Sequence, residues 1–363
     1  MMYIVYIGVA VLALLFMITI HELGHYLVAK LLKFRVNEFA IGFGKAIFKR
    51  QSKKTGEIFS IRMIPLGGYC AFEGEDSAGS AGTKQTPAPR PADDKTIPYD
   101  KQPPWARIAV LFSGAFANLI CGLVFCFILI ACIGYYQTVT ITKIDPEADN
   151  LSGIIFEGDR IIAVNGEKMT LLSNYSQKTA KFGVDEKFNL TLVRGATGAT
   201  ETVTVSRVQR MVDGKAVRDL GLKEGIIGYE KVGFAGSLGK SFVLTKDLAF
   251  LILSFLGKMV IGQVSLKDMG GTFTTIAVMS EAISYSAVNL LILIPLISIN
   301  LAIFNWLPIP ALDGSRMVFV LIEWVRGKPV NPVIENRIHT IGLLLLLGFV
   351  LFLDLNYLIL SRF

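Results

Sequence analysis

The sequence predicts a polytopic α-helical membrane protein with about four transmembrane helices, a membrane-embedded β-hairpin region and one external β-rich domain. Of the 363 residues, 52% are hydrophobic and only 18% are charged, whereas about one quarter of a soluble protein is charged. Residues 1–20, 108–134 and 282–312 contain no Asp, Glu, Lys or Arg. Each run is long enough to cross a hydrocarbon core, which takes about 20 helical residues. A wholly soluble enzyme, a disordered chain and a fibrous protein are therefore excluded.

These runs place three spans at about 3–32, 108–134 and 284–306, and a weaker apolar run places a fourth at about 338–360. The first run lacks a basic start and a small-residue cleavage site, so we interpret it as a retained span rather than a signal peptide. Lys and Arg are abundant after the first span and between the last two, and such residues favour cytoplasmic loops. Both termini and residues 135–247 are therefore predicted to lie outside the cytoplasm.

The first predicted region, residues 1–134, holds two spans, a β-hairpin and a linker. Residues 56–72 carry β-forming apolar residues around the bend Pro65-Leu66-Gly67-Gly68, which predicts the hairpin. A sheet edge exposed to lipid is not viable, so these strands must lie within protein or in a wet cavity. Residues 74–104, rich in Gly, Ser, Ala and Pro, predict a flexible cytoplasmic linker.

Residues 135–208 predict the external β-rich domain. Strands are predicted at 138–144, 160–164, 187–193 and 201–208, a helix at 171–181 and a hairpin turn at 195–198. Residues 209–281 connect this domain to the third span, and the short apolar run 248–256 between charged residues predicts an interfacial helix. Residues 282–363 hold the last two spans.

Charge and cysteine usage exclude two further classes of protein. The net charge is +7, but Lys and Arg flank the apolar runs, and no basic helix indicates nucleic-acid binding. None of the four cysteines has CxxC spacing, so neither a disulfide framework nor a cysteine metal cluster is expected; they are Cys70, Cys121, Cys126 and Cys132.

The segment His21-Glu22-Leu23-Gly24-His25 ends the first charge-free run. Residues four apart share one face of a helix, so both imidazoles can bind one metal ion while Glu22 takes a proton from metal-bound water. A catalytic zinc ion needs three protein ligands and an open position. The alternative is that the segment merely caps the first helix at the interface. An ionisable residue in a span costs roughly 2.5–3.5 kcal/mol, however, so Glu22 requires a reason.

The third ligand must come from a distant part of the chain. The candidates are Asp313, His339, Asp354, Glu281 and Asp268. Spans one and three run in the same direction, so their cytoplasmic ends lie at one depth, and Asp313 follows the third span. Asp354, Glu281 and Asp268 lie near the opposite face. His339 has the right depth but opens the fourth span, where its alternative is an interfacial polar residue.

Two prolines precede Asp313 and interrupt the third helix. Pro308 and Pro310 remove backbone donors and end or kink a helix. The carbonyls left free need a polar partner within the membrane, and Asn305 can supply one. The alternative is a simple exit loop in which Asp313 faces the cytosol.

The pairing of His21-Glu22-Leu23-Gly24-His25 with Asn305-x-x-Pro308-x-x-x-Leu312-Asp313-Gly314 resembles the site-2 protease family of intramembrane zinc metalloproteases. It most resembles bacterial members of the regulator of sigma-E protease type, which carry an external PDZ domain. Other stretches resemble the family's embedded hairpin, second span and PDZ turn, namely Gly42–Gly44 with Arg62–Tyr69, Trp105–Asn118, and Gly158–Gly166. Two positions differ, since Ala115 and Thr272 stand where the family usually has proline.

The resemblance implies a Zn²⁺ cofactor held by His21, His25 and Asp313, with Glu22 as the general base. Asn305 would hold the substrate or stabilise its oxyanion. The other substrate-binding candidates are Asn118 and, by pairing of an unwound substrate with the hairpin edge, Gly67, Gly68 and Tyr69.

The resemblance also implies location and partners. It indicates a multi-pass protein of the bacterial cell (inner) membrane that contacts the lipid bilayer and cleaves single-pass membrane proteins, such as anti-sigma factors or signal-peptide remnants. The PDZ domain either binds a peptide or excludes untrimmed substrates, and exclusion is favoured because no Gly-Leu-Gly-Phe-type carboxylate loop is visible. The alternatives to an enzyme are an inactive membrane scaffold and a metal transporter. A scaffold predicts a damaged metal set, and a transporter predicts polar residues along several spans.

Overall fold

The computed structural model describes residues 2–75, 95–145, 151, 153–212, 215–264, 270–285 and 287–360. The chain divides into two compact units, Met1–Cys126 with Val243–Phe363 and Phe127–Phe242. Most of the predicted linker, residues 76–94, lies outside the described residues, as does Asp268.

The helices account for most of the first unit. The chain's helices are α1 (Met2–Leu31), α2 (Pro104–Cys132), α3 (Tyr175–Thr179), α4 (Phe234–Val260), α5 (Thr272–Tyr285), α6 (Ala287–Trp306), α7 (Asp313–Arg326) and α8 (Pro332–Leu360). Among the described residues, four segments are long and apolar enough to cross a membrane, namely Ile4–Leu31, Pro104–Cys132, Asn289–Trp306 and Pro332–Ile359. They confirm the predicted set of four helices and indicate a multi-pass membrane protein.

Helix α8 begins six residues before the predicted fourth span. Pro332 occupies its first position, and the side chain of Asn331 accepts a hydrogen bond of 2.9 Å from the backbone N–H of Val333. Asparagine before the first turn and proline at its first position are both favourable helix starts. The first turns of α8 contain charged residues, so the charge-free run in the sequence begins later than the helix does.

Helix α5 was not predicted, because residues 272–285 carry no strong periodic signal. Its N-terminus is satisfied by a residue from α8 rather than by a local cap. The carboxylate of Asp354, which is 3% exposed, accepts hydrogen bonds from the backbone N–H groups of Phe273 and Thr274. Thr272, one of the two departures from the family pattern, is the first residue of this helix. The other departure, Ala115, lies buried within the uninterrupted helix α2.

A two-element sheet follows α1, formed by β1 (Val36–Gln51) and β2 (Ile58–Phe72). Phe39 pairs with Phe59 on one side and with Cys70 on the other, so the first half of β1 lies between the two halves of β2. The predicted hairpin within 56–72 is therefore wrong in its pairing, because both of its arms pair with β1. Alternation of apolar residues shows which segments are strands, but it does not show which strands are neighbours.

Packing between the strands explains the buried carboxylate of Glu38, which is 2% exposed. Arg62 Nη2 lies 2.7 Å from Glu38 Oε1, and the Ser60 hydroxyl donates to the same oxygen over 2.5 Å. A buried charge is tolerated when it is paired and hydrogen-bonded. This arrangement joins β1 to the first half of β2.

The second unit is built on a six-stranded sheet with strand order β10-β3-β5-β4-β6-β7. Its strands are β3 (Tyr136–Ile144), β4 (Arg160–Val164), β5 (Glu167–Thr170), β6 (Lys187–Val193), β7 (Thr200–Ser206) and β10 (Leu222–Glu230), while β8 (Val208–Val212) and β9 (Lys215–Asp219) form a separate hairpin. The sheet thus continues past the predicted boundary at residue 208, because β10 pairs with β3 at its edge.

Local sequence determines two features of this sheet. Asn165 and Gly166, with φ of 49° and 76°, form the two-residue turn from β4 to β5, and Asn-Gly is the preferred pair for such a turn. Asp159, 2% exposed, accepts hydrogen bonds from the backbone N–H groups of Phe156 and Gly195. The guanidinium of Arg194 lies 2.6 Å from the same carboxylate.

We expect the substitution Asp159→Ala to lower the free energy of unfolding of this unit by about 2–4 kcal/mol, since it removes one partner of a buried pair and two backbone hydrogen bonds. Glu201→Ala is the matched control, because Glu201 pairs with the same Arg194 but is 51% exposed, and it should cost about 0–1 kcal/mol. Hydrogen exchange of the β4 and β6 amides measures both. Equal protection in the two variants would contradict the expectation.

Candidate metal centre

The two histidines of the HExxH segment lie in the second half of α1, with their rings edge to face and their centroids 4.7 Å apart. Their spacing of four residues brings them to one face of the helix, and His21 Nε2 lies 3.1 Å from His25 Nε2. His21 is 8% exposed and His25 is 7% exposed. The side chains therefore face protein rather than lipid or water.

Asp313 joins them as the first residue of α7. Its Oδ2 lies 3.0 Å from His21 Nε2 and 3.2 Å from His25 Nε2. Burial raises the pKa of the Asp313 carboxyl, but the neighbouring His25 and His21 oppose this more strongly, so that its pKa lies below the usual range. A carboxylate oxygen at this position can complete a metal site with the two imidazoles.

The three atoms match the requirements of a zinc ion. Ligands of a tetrahedral zinc ion lie about 2.0–2.1 Å from it and hence roughly 3.3 Å from one another, close to the three distances above. Among the described residues, His21, His25 and Asp313 are the one group of three such side chains whose ligand atoms lie within 4.8 Å of one another. Three protein ligands leave a fourth position for water or substrate.

Helix α2 orients the ring of His25. The Nδ1–H of His25 donates to the carbonyl of Val110 over 2.8 Å, which leaves the lone pair of Nε2 directed at the centre. Metal-binding histidines are commonly fixed by such a hydrogen bond to the second ring nitrogen. The Ser113 hydroxyl lies 3.0 Å from the carbonyl of Gly24 and joins the two helices at the same level.

Two glycines permit this close approach of α1 and α2. A Cβ atom on Gly114 would lie 2.2 Å from His25 Nε2, and one on Gly24 would lie 2.5 Å from the carbonyl oxygen of Ser113. Sequence reasoning assigned no role to either glycine. The signal was available, because small residues on facing helices in membranes indicate backbones in contact.

Glu22 lies beside the last part of β2. A Cβ on Gly68 would lie 3.2 Å from Glu22 Cγ. Gly68 thus allows the strand to pass next to the predicted base.

The structure separates Gly68 from the other two hairpin candidates. Gly67, at φ of 142°, packs against the ring of Phe43. The guanidinium of Arg62 lies over the ring of Tyr69, 5.2 Å from its centroid. Gly67 and Tyr69 therefore contribute to packing within the sheet.

The two asparagine candidates differ in their surroundings. The amide nitrogen of Asn305 donates to the carbonyl of Leu301, one turn earlier in α6, over 2.9 Å. Asn118 is fully buried, and both polar atoms of its amide lack a hydrogen-bond partner among the described residues. It lies one helical turn after Gly114, on the face of α2 that approaches His25.

The remaining candidates for the third ligand have other roles. Asp354 binds the N-terminus of α5 as described above, and Glu281 is exposed. His339 accepts a hydrogen bond of 3.2 Å from the backbone N–H of Ala311. It is 6% exposed, so it is buried within the protein.

Comparison with known proteins gives a consistent result. Residues 9–349 match the profile of "Peptidase family M50". The chain is 30% identical over 352 residues to a Fusobacterium nucleatum protein, covering 96% of this chain and 97% of that protein. It is 30% identical to a Helicobacter pylori strain J99 protein (96% and 97% covered) and 29% identical to a Clostridium perfringens protein (94% and 95% covered), and all three bear the provisional name zinc metalloprotease. The chain therefore belongs to Peptidase family M50 and is a zinc-dependent metalloendopeptidase.

Proposed function

We propose that this enzyme cleaves peptide bonds within or near the transmembrane segments of other membrane proteins. The observation that supports this most directly is the position of His21 and His25. They lie on α1, a helix long and apolar enough to cross a membrane, and Asp313 meets them there. By resemblance to the family, the substrates are single-pass membrane proteins such as anti-sigma factors or signal-peptide remnants.

In this proposal His21, His25 and Asp313 hold the zinc ion and Glu22 is the general base. The bound ion would polarise the scissile carbonyl and lower the pKa of a water molecule. Glu22 takes a proton from the attacking water and passes it to the leaving amine. Gly68 lets β2 pass beside the Glu22 side chain, since a Cβ there would lie 3.2 Å from Glu22 Cγ.

The substrate would lie along the second half of β2. A transmembrane helix hides its carbonyls in its own hydrogen bonds, so it must unwind before cleavage and then needs new partners for its backbone. An extended segment can pair with a sheet edge, and Gly68 gives that edge close access to Glu22. Gly67 and Tyr69 would support the strand, while Asn305 and Asn118 offer amides to the substrate backbone.

We further propose that the second unit is a PDZ domain that limits which substrates reach the site. The support is its six-stranded sheet with the turn at Asn165-Gly166 and the buried Asp159. Both termini and this domain would lie outside the cytoplasm, in the cell (inner) membrane of a bacterium. A catalytically inactive scaffold is the rival, and the intact set of His21, Glu22, His25 and Asp313 opposes it.

Zinc content tests the ligand assignment. The purified wild-type protein should hold about one zinc ion per chain by atomic emission, and His21→Ala or Asp313→Ala should lose most of it, because two ligands rarely retain zinc. Glu281→Ala, which removes an exposed carboxylate, serves as the control. An unchanged metal load in the first two variants would refute the proposed site.

The role of Glu22 is tested by Glu22→Gln, which keeps the shape of the side chain but removes its basicity. We expect cleavage of a membrane-protein substrate in detergent to slow by about 10²–10⁴-fold, with zinc still bound. Substrate captured by this variant and identified by mass spectrometry would also reveal the natural partners. Wild-type rates in a zinc-loaded Glu22→Gln protein would eliminate Glu22 as the base.

Removal of the second unit tests the exclusion role. Tyr136 and Glu230 are paired neighbours on β3 and β10, so residues 136–230 can be excised with a short connection. We expect the shortened enzyme to cleave full-length substrates that the intact enzyme accepts only after trimming. The same excision in a Glu22→Gln background controls for contaminating proteases. If all cleavage is lost instead, the domain recruits substrate.

A further inference from the structure

The turn that carries Asp313 is backbone-strained. It joins α6 to α7, and in it Ala311 has φ of 78°. Such a left-handed conformation is unfavourable for a residue other than glycine and persists only where the surroundings enforce it. Pro308 and Pro310 have no N–H group, so the turn contains few donors that can hold it in place.

Two residues of α8, three positions apart, contact this turn. His339 Nδ1 accepts the backbone N–H of Ala311 over 3.2 Å. A Cβ on Gly342 would lie 2.1 Å from Pro310 Cβ, so the glycine lets α8 press directly against the turn. Both residues lie on one face of α8.

The hydrogen bond defines the state of the His339 ring. A ring nitrogen that accepts from a backbone N–H must carry a lone pair, so the proton of neutral His339 is on Nε2. Nδ1 lies also within 3.4 Å of the Ser315 hydroxyl, while the ring of Phe319 packs edge-on at 5.4 Å. His339 Nδ1 therefore binds the backbone of the turn, and it is not a fourth ligand of the zinc ion.

We propose that His339 is a positioning residue that sets the carboxylate of Asp313 for zinc. It acts through Ala311, two residues before the ligand, and fixes the strained backbone from which Asp313 projects. Ligand distances in a metal site are defined to about 0.2 Å, so a small shift of this turn is sufficient to weaken binding. The inference rests on the proposed ligand role of Asp313.

Three substitutions at one position separate the hydrogen bond from simple packing. His339→Asn places an acceptor oxygen on Cγ, where Nδ1 is attached in histidine. His339→Gln moves the acceptor one bond further, and His339→Leu removes it. Loss of partners behind metal ligands commonly weakens metal affinity 10–100-fold, and we expect this for the Gln and Leu variants, with His339→Asn within about threefold of wild type.

The measurement is the zinc dissociation constant of the full-length protein in detergent, from competition with a chelator, together with the visible spectrum of the Co²⁺-loaded form. We expect the Gln and Leu variants to show an altered Co²⁺ spectrum, while their zinc-free forms remain folded by circular dichroism. Gly342→Ala displaces Pro310 without removing a polar group and should weaken zinc binding in the same way. If His339→Leu fails to fold, the comparison of His339→Asn with His339→Gln decides the test.

The outcomes that overturn the proposal are distinct from those that overturn the ligand set. If Asp313→Ala abolishes zinc binding but all three His339 variants bind zinc as the wild type does, His339 has no positioning role. If His339→Asn is as weak as His339→Leu, the hydrogen bond is not what matters, and the proposal also fails. If Asp313→Ala itself leaves zinc affinity unchanged, the proposed metal site is wrong.

Discussion

The structure depends on one constraint, namely that two imidazoles of α1 and a carboxylate of α7 meet within about 3 Å of one another. Helix periodicity satisfies half of it, because residues 21 and 25 share a face of α1. The other half requires α2 to approach α1 closely enough for Val110 to bind the ring of His25. Gly24 and Gly114 permit this contact, so the absence of two side chains shapes the site as much as the ligands do.

The position of Asp313 depends in turn on what fixes α7, the helix that it begins. Arg316 Nη1 lies 2.5 Å from Glu75 Oε1, and Arg107 Nη2 lies 2.5 Å from Glu323 Oε1. Each pair joins α7 to a segment distant in sequence. Partly buried charges are costly unless paired, so these contacts specify where the helix can lie. The turn before α7 and the charged side chains of α7 thus both constrain the position of Asp313.

The sequence predicts the parts of this molecule that obey one-dimensional rules. Apolar runs reveal four spans, HExxH reveals a metal pair, and the shared depth of two helix ends selects Asp313. The insertion of β1 between the halves of β2, and the return of β10 to pair with β3, depend on strand order, which periodicity does not encode. The contact of His339 with Ala311 was missed for the same reason, since depth in the membrane can be read from sequence but a contact cannot.

Buried polar groups in a membrane must find partners within the protein, and many in the described residues do. Asp354 takes the free N–H groups of α5, and His339 takes that of Ala311. His21 Nδ1 and His339 Nε2 lack a hydrogen-bond partner among the described residues, and in the fully buried Asn118 both the amide oxygen and the amide nitrogen lack one. One free donor and one free acceptor match the needs of a single peptide group released from a helix. The unpaired amide on the face of α2 that approaches His25 is therefore consistent with its proposed contact to an unwound substrate.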